Sequence, residues 1–210
     1  MESTDYLKLF LGLVSIVNPI GTIPVFLSLT QVRTRPERRA IATQTSIAVL
    51  VILGVALLGG EAVLEFFGIS IPSFRCAGGI LVFLMALSML RAEPSGLRHT
   101  AEENLESSQK DSIAVVPLAM PMLAGPGAIS TVIVYAHASS TWPQKGFMAL
   151  AIAGTALVTY VALRFAPFIE RLLGQTGMNI VTRVMGLILA ALAVELMAGG
   201  AVALLRTASL

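Results

Sequence analysis

Two strings in this sequence pair helix-breaking residues with residues that can hydrogen-bond a small ligand. They are Asn18-Pro19-Ile20-Gly21-Thr22-Ile23-Pro24 and Gly125-Pro126-Gly127-Ala128-Ile129-Ser130-Thr131. Proline removes a backbone donor and crowds the preceding turn, and glycine adds backbone freedom. A helix that restarts after such a break offers free N–H groups and a partial positive charge, which suits a carboxylate. Asn18, Pro19, Gly21 and Thr22 are the candidates in the first string. Gly125, Pro126, Gly127, Ala128 and Ser130 are those in the second, with Thr131 as a further hydroxyl. Glu195 is the twelfth of the 22 residues from Val184 to Leu205, an otherwise apolar run. A carboxylate at that depth is costly and marks a function by default. It could hold an ammonium group or carry a coupling proton. The plainer alternatives are proline kinks that only shape packing, and a protonated Glu195 bonded to a neighbouring helix.

The elements that must position these residues are membrane spans. The chain has 210 residues, of which 56% are hydrophobic and only 12% charged. Soluble domains carry about a quarter charged residues. A bilayer core needs roughly 20 apolar residues per helix. Six stretches qualify: Leu9 to Thr30, Ile41 to Gly60, Cys76 to Leu90 extended by Phe66 to Phe74, Ser112 to Ala138, Phe147 to Leu163, and Val184 to Leu205. The expected fold is therefore all-α and polytopic, with about six transmembrane helices, the first and fourth broken. Residues 1–90 would form one three-helix repeat, 91–111 a polar loop on the cytoplasmic side, and 112–210 a second repeat, all within one membrane domain.

The two halves match at an offset near 107. Asn18-Pro19 falls on Gly125-Pro126, Pro36 on Pro143, Arg75 on Arg183 and Gly78 on Gly186. A duplicated unit of three spans must enter the membrane from opposite sides, which gives the inverted repeat common among secondary transporters. Basic residues set the orientation. With the N-terminus outside, the inner loops hold Arg33, Arg35, Arg38, Arg39, Arg91, Arg98, Lys110, Arg164, Arg171 and Arg183. The outer segments hold only Lys8, Arg75, Lys145 and Arg206. Both termini are thus expected outside. Glu2 and Asp5 precede the first apolar run, with no basic region to suggest a cleaved signal peptide.

Other functions fit less well. The net charge of only +2 gives no pointer to nucleic acid, and no nucleic-acid partner is expected. Cys76 is the single cysteine, so no disulfide framework exists, and His99 and His137 have no partner at metal-ligand spacing. Both Asp residues, Asp5 and Asp111, lie outside the spans, and no nucleotide-binding loop, HExxH or GxSxG is present. An enzyme is not expected. Arg75 and Arg183 read as snorkelling helix-end anchors, with a gate ion pair as the alternative. The glycine pairs permit close helix contact and a homo-oligomer.

The strings Asn18-Pro19-Ile20-Gly21, Phe67-Gly68-Ile69-Ser70-Ile71-Pro72, Arg75-Cys76-Ala77-Gly78-Gly79 and Val116 to Gly127 closely resemble the MarC family of bacterial inner-membrane proteins. The likeness runs over nearly the whole chain. Within this family, SnatA-like proteins are regarded as transporters of small neutral amino acids such as glycine and alanine. The resemblance implies an inner-membrane protein of six spans that moves small zwitterions, without naming proton or sodium as coupling ion. The family often has Gln where this chain has Glu195, which leaves the role of that carboxylate open. Alternative readings are a drug or metabolite exporter, a channel linked to antibiotic resistance, or a non-transporting structural protein of the membrane. Low aromatic content, 6%, argues against a large drug cavity.

Overall fold

Proline placement decides where the helices stop. The computed structural model describes residues 3–91, 113–139 and 141–208. These form α1 (Ser3–Val17), α2 (Pro19–Leu29), α3 (Arg35–Phe66), α4 (Ile71–Arg91), α5 (Ala114–Leu123), α6 (Pro126–His137), α7 (Trp142–Arg164) and α8 (Ala166–Ala208). No strand occurs among the described residues. Most of the polar segment expected at 91–111 lies outside them, and Arg91 itself ends α4.

Pro19, Pro36, Pro126 and Pro143 each sit in the first turn of a helix, where the missing N–H costs nothing. Thr34 and Glu37 cap α3 reciprocally, and at the start of α7 Gln144 Oε1 accepts the Thr141 N–H at 3.2 Å. Pro24, by contrast, lies inside α2, which continues through it. The first break is therefore at Asn18 alone, and not across the whole string to Pro24.

Among the described residues, five helices are long and apolar enough to cross a membrane: Leu7–Leu29, Arg35–Phe66, Ile71–Arg91, Trp142–Arg164 and Thr176–Arg206. The expected fourth span, Ser112 to Ala138, is not among them. Within it α5 and α6 cover 10 and 12 residues. Val116 and Met120, the residues before Pro117 and Pro121, take φ/ψ of −126°/120° and −126°/128°. The following proline ring pushes each of them out of the helical region. Wide turns result, with Leu118 N–H bonded to Ile113 O and Ala124 N–H to Ala119 O. The pieces nonetheless follow α3 from end to end. Ile113 lines a hollow with Arg33 and Glu37 at the start of α3. At the other end His137 Nδ1 lies 2.6 Å from Glu61 Oε1.

Two further boundaries differ from expectation. Phe66 closes α3 instead of extending the third span. Gly68 then turns the chain at φ 66°, a left-handed value that only glycine adopts freely. The last helix starts earlier than Val184, so Arg183 lies inside it, and Gly174 kinks it at φ 59°.

The deepest packing is between α4 and α8, which run antiparallel. A Cβ on Gly79 would meet Met197 and the Ala193 carbonyl, one on Gly186 would meet Met89, and one on Gly200 would meet Cys76 and the Pro72 carbonyl. The backbones approach this closely because the facing residues are glycines. Helix contacts recur in matched sets: α2 packs on α8 as α6 packs on α4, and α2 packs on α7 as α6 packs on α3. The inner core is apolar, with Leu13, Ile23, Phe26, Leu53, Leu118 and Leu189 fully enclosed. The outer faces are apolar too: Leu58 is 78% exposed and Leu187 65%. Such a surface suits hydrocarbon as its solvent.

Gly79→Ala is expected to lower thermal stability in detergent by about 1–3 kcal/mol, since the added methyl meets backbone. Gly54→Ala, with nothing within 4 Å of its would-be Cβ, is expected to raise it by up to about 1 kcal/mol. Melting curves of the two variants against the parent check the opposite signs.

Candidate functional site

The first break is closed by its own residues. Asn18 stands at φ 49°, ψ 62°, a left-handed conformation that asparagine tolerates better than other side chains. Its N–H bonds the Val14 carbonyl at 2.9 Å and so ends α1. Its Oδ1 accepts the Gly21 N–H at 3.2 Å and so opens α2. Thr22 Oγ1 donates to the Asn18 carbonyl at 3.2 Å. Asn18 and Thr22 are fully buried, and Asn18 Nδ2 lies 3.5 Å from Met89 Sδ on α4. A Cβ on Gly21 would collide with the Asn18 side chain. The Gly21 N–H is therefore already engaged, in a closed cap.

The second break lacks that cap. Gly125 is extended, at φ −77°, ψ 177°, and no side chain bonds the first turn of α6. The N–H groups of Gly127 and Ala128 thus belong to a half-helix N-terminus with no side-chain acceptor. Ser130 Oγ donates to the Pro126 carbonyl at 2.6 Å, and Thr131 Oγ1 to the Gly127 carbonyl at 2.8 Å. The hydroxyl protons are used locally, which leaves oxygen lone pairs as acceptors. Gly127 is buried beneath Val82 of α4 and Ile16 of α1, and Ser130 packs on Gly78. Both breaks therefore rest on α4, at Val82 and Met89, about 10 Å apart along its axis.

A cavity of about 450 Å³ opens beside the second break, between α1, α4, α6 and α8. Its polar lining is Lys8, Arg75, Thr131, Tyr135 and Glu195. Of the sequence candidates Glu195 and Thr131 face this space. Asn18, Pro19, Gly21, Thr22, Gly125, Pro126, Gly127, Ala128 and Ser130 do not line it. Glu195 also sits a turn past the midpoint of the Thr176–Arg206 span instead of at its centre. Its side chain is exposed in the cavity. Arg75 Nε is buried with no hydrogen-bond partner. No ion pair joins Arg75 to Glu195.

The cavity thus presents a free guanidinium and a free carboxylate to one small volume. Sequence reasoning took Arg75 for an interface anchor. The offset between Arg75 and Glu195 is too long for any spacing rule, and only the α4–α8 contact brings them together. Ile16 lines the cavity and also packs on Gly127, beside the uncapped N-terminus of α6.

In a Cys76→Ala background, a water-soluble maleimide is expected to label Glu195→Cys readily. Thr22→Cys, fully buried at the first break, should react at least about ten-fold more slowly, since it waits on local opening. Equal rates would show that the cavity and the break are equally wet.

Comparison with known proteins agrees with this architecture. Residues 3–205 match the MarC family integral membrane protein. The chain is 43% identical over 195 residues to the UPF0056 membrane protein YhcE of Escherichia coli K12, covering 93% of this chain and 91% of that one. It is 37% identical over 201 residues to a UPF0056 membrane protein of Aquifex aeolicus, covering 96% and 94%. It is 39% identical over 194 residues to the UPF0056 membrane protein YvbG of Bacillus subtilis, covering 91% of each. No solved structure matches the chain. This apolar bundle, with five membrane-length helices among its described residues and matched over 91–96% of its length by these relatives, belongs to the MarC family of integral membrane proteins.

Proposed function

We propose that this chain is a secondary transporter of small neutral amino acids or similar small zwitterions, working by alternating access. The observation that carries the reading is the cavity shared by Arg75 and Glu195. A zwitterion needs one cation and one anion held apart in a space of its own size. Arg75 would take the carboxylate and Glu195 the ammonium, with Thr131 as a neutral acceptor. Small ligand sites begin at roughly 300 Å³, and Tyr135 is the one aromatic residue in this lining. A bulky aromatic drug fits such a wall poorly.

The uncapped N-terminus of α6 gives the reading its second half. Displacing Ile16 would join the cavity to the Gly127 and Ala128 N–H groups, where a carboxylate gains from the helix dipole. In this reading α5 and α6 together make a sixth crossing beside α3, and residues 1–90 and 112–210 are inverted repeats. The matched helix contacts and the antiparallel α4–α8 pair support that symmetry. The pairing supplies two equivalent ways to open. We place the protein in the bacterial inner membrane with both termini outside, on the distribution of Lys and Arg. Either a proton on Glu195 or a sodium ion would serve for coupling.

Liposomes carrying the purified protein are expected to show uptake and counterflow of labelled glycine and alanine. Arg75→Gln and Glu195→Gln should each lower kcat/KM at least about ten-fold, the value of one charged hydrogen bond. Pro126→Ala should weaken transport, whereas Gly54→Ala should not. A well-folded sample that moves no small amino acid, across a pH and sodium series, would overturn the assignment.

A further inference from the structure

The end of the bundle opposite Lys8 and Arg75 holds a second charged hollow. A cavity of about 350 Å³ is lined by Arg35, Arg38 and Arg39 of α3, Arg164 at the end of α7, and Phe165 and Phe168 beyond it. Arg35, Arg38 and Arg39 share one face of α3, because residues three and four apart are neighbours on a helix. Among the described residues no carboxylate lines the cavity. Glu37, the nearest acid on the same helix, is turned to other work. Its Oε2 accepts from Thr34 N–H and Oγ1 at 2.7 and 2.6 Å, and its Oε1 lies 4.0 Å from Arg33. Glu170 lines an adjacent hollow with Arg38 but forms no ion pair with it. Arg38 donates to the Thr30 carbonyl at 2.9 Å, yet its Nε is buried without a partner. Arg35, Arg39 and Arg164 have no carboxylate partner among the described residues.

Four guanidinium groups converging with no counter-ion among the described residues repel one another. An anion with several acceptor oxygens relieves this, and the planar donor fork of arginine matches phosphate. The remaining wall is apolar. Leu163, Phe165, Pro167 and Phe168 continue from the basic floor, and Arg164 lies 5.8 Å from the Phe165 ring centre. Phe168 is 64% exposed and Phe165 52%, so they face outward where acyl chains would lie. A hollow with cations inside and an apolar lip at a membrane boundary has the layout of a lipid head-group site.

We infer that this cavity binds a phosphate group, and that its source is the head group of an anionic phospholipid. The site is separate from the transport cavity and does not depend on that reading.

Thermal melting and native mass spectrometry of the full chain in detergent test it. Phosphatidylglycerol is expected to raise the melting temperature and to remain bound, and phosphatidylcholine to do neither. Arg39→Gln and Arg164→Gln should each weaken phosphatidylglycerol binding about ten-fold, the value of one charged hydrogen bond to phosphate. Arg171→Gln removes the same charge outside the cavity and should leave binding unchanged. Should a variant misfold, the comparison of the two lipids on the unaltered protein still decides. A shift with inorganic phosphate alone, lost in the same two variants, supports the site and makes its ligand a free anion. Equal stabilisation by both lipids, or phosphatidylglycerol binding that survives both substitutions, overturns the proposal.

Discussion

Inside hydrocarbon a backbone N–H or C=O must find a protein partner or face a wet cavity, and that constraint governs how this chain is broken. A loop facing lipid is not available at that depth. Asn18 meets the demand with one residue: it accepts the left-handed turn, ends α1 with its N–H and opens α2 with its side chain. The second half solves the same problem differently. Two prolines widen α5 into turns closed by bonds over five residues. Gly125 then starts α6 with nothing to cap it. One break is sealed and the other retains a positive end under Ile16.

That difference places the chemistry on one side of the molecule. A sealed cap has no donor left for a ligand, whereas an uncapped helix start next to a cavity does. The glycines between α4 and α8 matter for the same reason. Their close approach sets Arg75 beside the Gly199 and Gly200 end of α8, and with it the distance to Glu195. A larger residue at this seam would move the cation relative to the anion. Stability and site geometry therefore rest on the same packed surface.

Charge is sorted between the two ends. One carries Lys8, Arg75 and Glu195 around a cavity, the other four arginines around a hollow with an apolar rim. Among the described residues neither group is neutralised internally, which for charges near a low-dielectric boundary is costly unless a ligand or solvent supplies the balance.

By itself the sequence determined the solvent, the helical class and the places where helices begin. Apolar composition demands hydrocarbon, and proline at the first turn of a helix is a local rule that needs no tertiary information. The Asn18 and Gly125 breaks were legible for that reason, as was the cost of Glu195. The sequence misjudged what local rules do not settle. Pro24 bends into α2 because a single lost bond does not end a packed helix, and the fourth apolar run divides because Val116 and Met120 each precede a proline within one run. Tertiary structure alone decided that Gly127 lies under Ile16 and Val82, and that Arg75 faces the same space as Glu195. These residues are remote in the chain, and only the antiparallel contact of α4 with α8 brings their charges within one cavity.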